Sequence, residues 1–218
     1  MKKKIASIFF MTALTVFVIS CKETTKEATT TEAQKVKEVK VKSNVFTANV
    51  SSSTIEWKGF KPTGSHNGTM HLKTGSINVV DGKIVGGSFL IDMTSIIVTD
   101  IPKEDAGNAK LLEHLKNPDF FNVEKYPTAT FEITSLKEID NKTMVSGNLT
   151  LKELKNNVTL PVTISNENNI ISLISDTFTI DRTKWNIKYK SKSIFGDLGD
   201  KFINDDIELK IIIKATKS

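Results

Sequence analysis

The chain contains few of the residues on which many protein classes depend: its 218 residues include one cysteine, three histidines and one arginine, Arg182. A single cysteine excludes an intramolecular disulfide framework. A single arginine argues against a phosphate-binding protein, because arginine guanidinium groups usually dominate phosphate-binding sites. Setting aside the first three lysines, and the six lysines and four glutamates of residues 22–42, leaves 21 basic and 21 acidic residues. This neutral remainder gives no support for a nucleic-acid partner.

The sequence also lacks the signatures of common enzymes. It has no Gly-x-Ser-x-Gly elbow, no phosphate-cradling glycine loop and no His-Glu-x-x-His. Asp92 and Asp181 are candidates for paired carboxylates, but nothing in the sequence places them together. His66 and His71 are five residues apart, which puts them on opposite faces of a regular strand, so no metal site is expected. We therefore expect neither an enzyme nor a cofactor.

The N-terminus has the pattern of an export signal. Three lysines precede the apolar run IASIFFMTALTVFVIS, which is shorter than the roughly 20 residues that a membrane span needs. The following Val18–Cys21, VISC, resembles a bacterial lipobox. This resemblance implies cleavage before Cys21 and its acylation, and a location in the bacterial cell envelope, anchored to a membrane such as the outer membrane. An ordinary signal peptide with an incidental cysteine is the alternative.

Residues 21–48 predict a flexible tether. Threonine, lysine and glutamate dominate residues 22–45, which contain no aromatic residue, and such a composition buries too little surface to offset the entropy of ordering. About 24 flexible residues have an end-to-end distance of about 25–30 Å. A short exposed helix over residues 32–42 is an alternative. The domain organisation expected is a signal peptide over 1–20, the tether over 21–48 and one folded domain over 49–218.

The folded part alternates apolar and polar residues with the period of two that is typical of β-strands. There are eight such runs, and turn signals at Asp81-Gly82, Asp140-Asn141, Asn156-Asn157 and Asn168-Asn169 join several of them. One helix is predicted over 108–116, where Leu111, Leu112 and Leu115 form a short apolar stripe and Pro118 follows. The fold class is therefore all-β with one helical excursion. Eight antiparallel strands can form a closed barrel or a two-sheet sandwich, and the pattern alone favours neither.

Several ordered motifs resemble the YceI-like, lipid- and polyisoprenoid-binding family. The motifs are Trp57-x-Gly59, Gly64-x-His66-x-Gly68, the run from Gly86 to Ile96, the stretch HLKNPDFFNVEKYPTATF, GNLTLKELKNNVTLPV and TFTIDRTKWNIKY. Together they cover residues 50–216. The resemblance implies an eight-stranded antiparallel barrel, lipocalin-like in outline, with an apolar interior for an isoprenoid or fatty chain. It also implies that the Phe120-Phe121 pair and the helix lie at the wall or mouth of the barrel.

Candidate ligand-binding residues lie on the apolar strand faces and near the helix. They are Trp57, Phe89, Ile91, Met93, Leu112, Phe120, Phe121, Phe131, Leu149, Phe178, Arg182 and Trp185. Ordinary core packing predicts the same apolar positions. Because Phe120 and Phe121 are adjacent, we expect one in the core and the other as a lid. Arg182 is expected to pair with Asp181 and fix a loop, with a head-group contact as the alternative.

The function expected is binding and shielding of a long apolar lipid, such as an isoprenoid, quinone or fatty chain, for storage or transport in the cell envelope. The membrane contact is through acylated Cys21, and a homodimer is compatible with the sequence. A filled barrel acting as a surface scaffold or adhesion module is one alternative. A lipid hydrolase is the other.

Overall fold

The computed structural model describes residues 25–38 and 42–218. Within these residues there are twelve strands, one α-helix and three short 3₁₀ turns. The strands are β1 (Lys26–Glu27), β2 (Thr29–Glu32), β3 (Asn44–Ala48), β4 (Thr54–Lys61), β5 (Gly64–Val80), β6 (Lys83–Val98), β7 (Thr128–Ile139), β8 (Lys142–Leu151), β9 (Leu154–Glu167), β10 (Ile170–Ser175), β11 (Phe178–Asp181) and β12 (Asp206–Lys217). The helix, α1, spans Ala106–Lys116.

Eight of these strands close into a ring in which every neighbouring pair is antiparallel. β4 to β10 follow one another as neighbours, β12 pairs with β10, and β12 returns to β4 with Leu209 opposite Trp57. β12 pairs with β4 over one part of its length and with β3 over the next part. On its other side, β12 pairs in the same way with β11 and then with β10. The predicted eight-stranded antiparallel arrangement with one helix is confirmed, and the sandwich alternative is wrong. Closure gives every ring strand a neighbour on each side, and the part of β9 that does not pair with β10 pairs with β2.

Three of the predicted turns are confirmed. Asp81 and Gly82 have φ of 49° and 76°, Asp140 and Asn141 have 51° and 60°, and Asn168 and Asn169 have 51° and 61°. Two consecutive positive φ angles define the tight hairpin turn whose twist matches that of the strands on either side. The residue types at these positions therefore fix the register of three hairpins.

The predicted turn at Asn156-Asn157 is wrong. Both residues lie inside β9, and the chain turns at Lys152-Glu153, where Lys152 has φ of 55°. The Asn157 side chain is buried and donates to Thr134 Oγ1 and Asn148 Oδ1, each at 3.0 Å. A buried polar network on the outer face of the ring therefore outweighs the turn preference of two asparagines.

The helix is confirmed and begins two residues before the predicted start. Asp105 caps it, accepting from the Gly107 amide at 2.7 Å, which satisfies one of the free amides of the first turn. Its Leu115 is buried in the core. At the other end the Asn117 amide donates to the Glu113 carbonyl at 3.0 Å, and the chain leaves toward Phe120 and Phe121. The helix thus closes one end of the ring.

The prediction of a flexible tether is wrong for much of the segment before residue 49. β1 pairs with β11, β2 pairs with the ring strand β9, β3 pairs with β5 and β12, and Ala28 is buried. Residues 33–38 form no helix, so the helical alternative is wrong for them. The composition of the segment indicates only how little apolar surface it can bury by itself. Its backbone hydrogen bonds come from the edges of strands elsewhere in the chain.

The signal peptide, Cys21 and the remainder of residues 1–24 lie outside the described residues. All described strands, and the hydrogen bond that the Thr25 hydroxyl donates to Glu208, lie within residues 22–218. No helix within the described part of the chain is long and apolar enough to cross a membrane.

Candidate functional site

The ring encloses an apolar cavity of about 140 Å³ near the end that carries α1. Of its 23 lining residues, Arg182 and Asn204 alone have polar side chains other than the indole of Trp57. A second space of about 40 Å³ lies farther along the ring. The two spaces share Ile55, Ile91, Phe131, Leu160 and Ile211, so they are neighbours along one axis.

The size and lining of the cavity define what it can hold. An apolar cavity of about 150 Å³ stays free of water and accepts a group as large as benzene. The described cavity therefore accommodates a short stretch of hydrocarbon as it stands. Met70 and Met93 lie in its wall, and unbranched methionine side chains adapt readily to a bound group.

Nine of the twelve predicted ligand-binding residues line this cavity. They are Trp57, Ile91, Met93, Phe120, Phe121, Phe131, Leu149, Phe178 and Arg182. Phe89 lines the smaller space, whereas Leu112 and Trp185 line neither. Leu112 is partly buried against the core, and Trp185 is fully buried with Nε1 donating to the Leu149 carbonyl at 3.1 Å. Trp185 is therefore a wall-packing residue.

Fourteen lining residues were not among the predicted site residues. They are Ile55, Gly59, Met70, Leu115, Ala129, Leu151, Val158, Leu160, Ile180, Ile203, Asn204, Ile207, Leu209 and Ile211. Most of them lie on the inward face of strands that the period-two pattern had identified. The pattern separates inside from outside, but it does not separate residues beside a void from residues in a filled core. Ile203 and Asn204 precede β12 and had no sequence signal.

Phe120 and Phe121 both face the interior, and the expectation that one of them acts as a lid stays a prediction. Both are buried and both line the cavity. Phe120 also contacts His114 and Tyr189, with ring centroids 4.9 and 5.8 Å away, and His114 packs edge-on against Tyr189 at 4.6 Å. His114, Phe120 and Tyr189 form an aromatic cluster between the cavity and the outside. His114 thus packs against two aromatic rings.

Arg182 is held by backbone carbonyls, and the predicted pairing with Asp181 is wrong. Its guanidinium donates to the carbonyls of Asn204, Ile187 and Ile203 at 3.0, 2.7 and 3.0 Å. Its ion-pair partner is Asp205 at 3.5 Å. Asp181 instead accepts from the Thr183 amide and hydroxyl. Arg182 therefore joins the start and the end of the segment that closes this side of the cavity.

Burial and charge act in opposite directions on the Arg182–Asp205 pair. Burial lowers the pKa of Arg182, and the charges of Asp205 and Asp181 partly offset this. Burial raises the pKa of Asp205, but hydrogen bonds from Ser191 and Ser193 and the charge of Arg182 leave that pKa below its ordinary value. Asp205 thus carries the negative charge that a buried guanidinium needs.

Trp57 has a polar atom without a partner in the described structure. Its indole lines the cavity, and Nε1 is buried with no hydrogen-bond acceptor among the described residues. Buried indole N–H groups usually donate to a partner. Of the two predicted tryptophans, Trp57 is therefore the one whose indole N–H makes no hydrogen bond within the described structure.

The N-terminal strands seal the cavity wall. In the described structure β9 and β11 do not pair with each other; β1 runs parallel beside β11, and β2 runs antiparallel beside β9. Val158, Leu160, Phe178 and Ile180 of β9 and β11 line the cavity. We call residues 26–34 the strap. It fills a gap in the wall directly beside the cavity.

The polar residues considered for catalysis or metal binding make hydrogen bonds that stabilise the local structure around them. Hydrogen bonds from Thr94 are the main cause of the lowered pKa of Asp92, while Asp181 caps the turn that begins at Arg182. His66 Nδ1 lies 2.8 Å from Asp100. Among residues 25–38 and 42–218 no three His, Cys, Asp or Glu side chains are grouped to hold a metal. The structure does not bring Asp92 and Asp181 into one site.

Comparison with known proteins identifies one family. A family model described as a YceI-like domain matches residues 42–215. Over 60 residues the chain is 48% identical to a UPF0312 protein of Pseudomonas aeruginosa, covering 28% of this chain and 29% of that protein. Over 125 residues it is 33% identical to a UPF0312 protein of Yersinia pseudotuberculosis, covering 56% of this chain and 61% of that protein. The aligned stretches thus span less than two thirds of either relative.

Two solved structures share the fold. The crystal structure of Burkholderia cenocepacia BcnA is similar with a TM-score of 0.61 and 20% identity, covering 78% of this chain and 99% of that chain. A polyisoprenoid binding domain from Saccharophagus degradans has a TM-score of 0.56 and 12% identity, covering 81% of this chain and 100% of that chain. At these identities the likeness concerns the fold alone.

Proposed function

The chain belongs to the YceI-like domain family, and on that premise we propose that it binds the apolar chain of a lipid inside its ring of strands. One observation carries the proposal: a cavity of about 140 Å³ whose wall is almost entirely apolar. An apolar cavity gains free energy when a hydrocarbon replaces empty space, because the lining atoms recover contacts that a void cannot supply. The activity proposed is binding and shielding, without catalysis.

The dimensions favour a flexible chain or a single six-membered ring over a fused ring system. The cavity holds a six-carbon group, and the smaller space continues along the same axis behind Phe131. Phe131 lines both spaces, so a change of its rotamer would let a bound chain extend from the cavity into the second space. Each methylene buried contributes about 0.8 kcal/mol before the costs of ordering the chain.

An isoprenoid chain, including that of a quinone, is the ligand class best supported. The related domain from Saccharophagus degradans is a polyisoprenoid binding domain with the same fold. The unpartnered Nε1 of Trp57 favours a ligand with a hydrogen-bond acceptor, such as a quinone carbonyl, over a pure hydrocarbon. A fatty chain is the less favoured alternative within the same class.

Native mass spectrometry of residues 22–218 tests this function. We expect an added mass that disappears on solvent extraction and is identified as a chain lipid. Ala129 lines the cavity, so Ala129→Leu should reduce the bound fraction by filling space, whereas Thr130→Leu, on the other face of β7, should retain it. Equal occupancy in both variants, or no lipid in the parent protein, would refute binding in this cavity. Turnover of lipid esters would favour the hydrolase alternative.

We further propose that acylated Cys21 anchors the protein to a membrane of the bacterial cell envelope, where the bound lipid is stored or moved. The strap begins at Lys26, and an extended chain spans at most about 3.5 Å per residue. The five Cα–Cα steps from Cys21 to Lys26 therefore reach at most about 17 Å, which would hold the ring against the bilayer. Growth with a labelled fatty acid should label the protein at Cys21, and Cys21→Ala should abolish that label; a label that persists in the variant would contradict acylation at this residue.

A further inference from the structure

The segment from residue 188 to residue 202, which we call the docking loop, exposes two neighbouring apolar side chains. Ile194 and Phe195 have 42% and 47% of their surface exposed. Other exposed large apolar residues occur singly in the described part of the chain, with no second one adjacent in sequence. Single exposed apolar residues are ordinary, whereas an adjacent pair at the tip of a loop favours a contact surface.

Lysines surround this apolar pair. Lys188, Lys190 and Lys192 alternate along the chain just before it. Nζ of Lys190 lies 5.3 Å from the ring centre of Tyr189, and Nζ of Lys192 lies 4.8 Å from that of Phe202. Lysines that lie over aromatic rings cover apolar surface while their charged ends stay in water. The docking loop holds four lysines and two aspartates, so it is positively charged.

The docking loop is fixed to the wall of the cavity. The Ile203 amide donates to the Lys190 carbonyl at 2.9 Å, and Arg182 Nη2 donates to the Ile203 carbonyl at 3.0 Å. Ile203 itself lines the cavity. A partner that contacts the docking loop therefore lies at the end of the ring where the cavity is closed by side chains.

Two aromatic rings in contact separate a groove at the surface of the loop from the cavity. Tyr189, Phe195 and Leu198 line a surface groove of about 440 Å³. The ring of Tyr189 lies 5.8 Å from that of Phe120, which lines the cavity. Tyr189 and Phe120 therefore lie between the groove and the cavity.

We propose that the docking loop binds the anionic surface of a lipid bilayer, with Ile194 and Phe195 inserted among the lipids and the three lysines against their phosphates. This rests on the proposed function, because a bilayer is the source and destination of a lipid ligand. The ligand then passes between bilayer and cavity past Phe120 and Tyr189. An apolar tip flanked by lysines is the pattern of segments that lie in the membrane interface. Positive charge close to an anionic leaflet adds attraction.

Vesicle co-sedimentation of residues 22–218 tests the docking. We expect the protein to bind vesicles of phosphatidylcholine with phosphatidylglycerol, and much less to phosphatidylcholine alone. Replacing Lys188, Lys190 and Lys192 by glutamate should weaken binding by about a hundredfold, given the usual attraction per lysine. Ile194→Ser with Phe195→Ser should weaken it by about tenfold or more, because two half-exposed side chains lose their burial in lipid.

The matched control changes three exposed lysines at the opposite end of the ring. Lys83, Lys137 and Lys217 lie near the far hairpins and the end of β12. Their replacement by glutamate gives the same change in net charge and should leave vesicle binding within about twofold, because exposed charges beyond a Debye length are screened. Equal loss in this control, unchanged binding in the loop variants, or no preference for phosphatidylglycerol would overturn the proposal. A preference for a protein partner over vesicles would do the same.

Lipid occupancy of the same variants separates this inference from the proposed function. Solvent-extractable lipid measured by mass spectrometry reports on the cavity, whereas co-sedimentation reports on the loop. Loop variants that lose vesicle binding but still hold lipid after loading from detergent support both proposals. Parent protein that sediments with vesicles in a loop-dependent manner but never carries lipid supports docking and refutes the cavity function.

Discussion

Asn148 holds the main chain of Gln34 with both ends of its side-chain amide. Oδ1 accepts from the Gln34 amide at 2.9 Å, and Nδ2 donates to the Gln34 carbonyl at 2.6 Å. The same Oδ1 accepts from Asn157 Nδ2 at 3.0 Å. Asn148 and Asn157 are both buried. This network fastens the end of the strap to the outside of β8 and β9, close to the part of the wall that the strap completes.

Replacement of Asn148 should release the strap. Asn148→Ala leaves the Gln34 backbone groups and the Asn157 amide without this partner, at a cost of about 1–3 kcal/mol in the free energy of unfolding. Hydrogen exchange should increase at residues 28–34 more than elsewhere. Asn166→Ala, at an exposed position of β9, is the matched control and should cost less than about 0.5 kcal/mol. Unchanged exchange in the strap of Asn148→Ala would contradict its anchoring role.

Gly147 gives Phe131 the space that its ring occupies. A Cβ atom at position 147 would overlap the Phe131 ring, which lines both spaces of the interior. Gly147→Ala should therefore push the ring into the cavity, cost about 1–3 kcal/mol in stability and reduce the bound lipid. Denaturation and native mass spectrometry measure the two effects.

Gly59→Ala is the control for this substitution. Gly59 also lines the cavity, but nothing lies within 4 Å of an added Cβ. The bound lipid should decrease in Gly147→Ala and persist in Gly59→Ala. The opposite order would show that ring displacement is not what limits occupancy.

Arg182→Met should destabilise the closed end of the ring. The substitution leaves three carbonyls without their donor and Asp205 without its cation, and breaking such a buried pair typically costs about 3–5 kcal/mol. Hydrogen exchange at residues 186–205 should rise. Lys184→Met removes an exposed neighbouring charge and should cost less than about 1 kcal/mol. A loss in Arg182→Met as small as in the control would be inconsistent with a structural role for Arg182.

The ionisation of Asp206 is expected to make the attachment of the strap depend on pH. Burial raises the pKa of Asp206, and the negative charges of Glu27, Asp181 and Asp205 raise it further, while Lys184 opposes them. An acid with a raised pKa in the folded state contributes stability that is complete below its ordinary pKa, near 4, and is lost as pH rises through the raised pKa. Glu27 belongs to the strap, so the strap should be held less firmly at neutral pH.

Asp206→Asn should therefore raise protection of residues 27 and 28 against hydrogen exchange at pH 7 and change it little at pH 4. Asp200→Asn makes the same change in net charge at an exposed position and should show no such difference. A gain that is equal at both pH values would mean that ionisation of Asp206 does not act on the strap.

Much of the fold followed from local patterns. Alternation identified the inward faces of the strands, paired turn residues such as Asp140-Asn141 fixed the hairpins, and Leu111, Leu112 and Leu115 marked the helix. These features depend on neighbours within a few residues, which the sequence displays directly. The same alternation selected Trp57, Phe131 and Phe178, which do line the cavity.

The errors concern partners that are distant in sequence. Gln34 and Asn148 are 114 residues apart, and Arg182 is held by carbonyls about twenty residues later. Composition described the strap as too polar to order itself, because the edges of β9 and β11 that receive it are visible only after the chain has folded.

By itself the sequence determined an all-β chain of hairpins with an apolar inner face and a family resemblance, since period and turn chemistry are local properties. Tertiary structure alone decided that this inner face encloses a void, that the N-terminal segment completes the wall, and that Arg182 closes one end. The void, the pairing of the N-terminal segment with the wall and the burial of Arg182 each depend on contacts between residues far apart in the chain. No local pattern specifies such contacts.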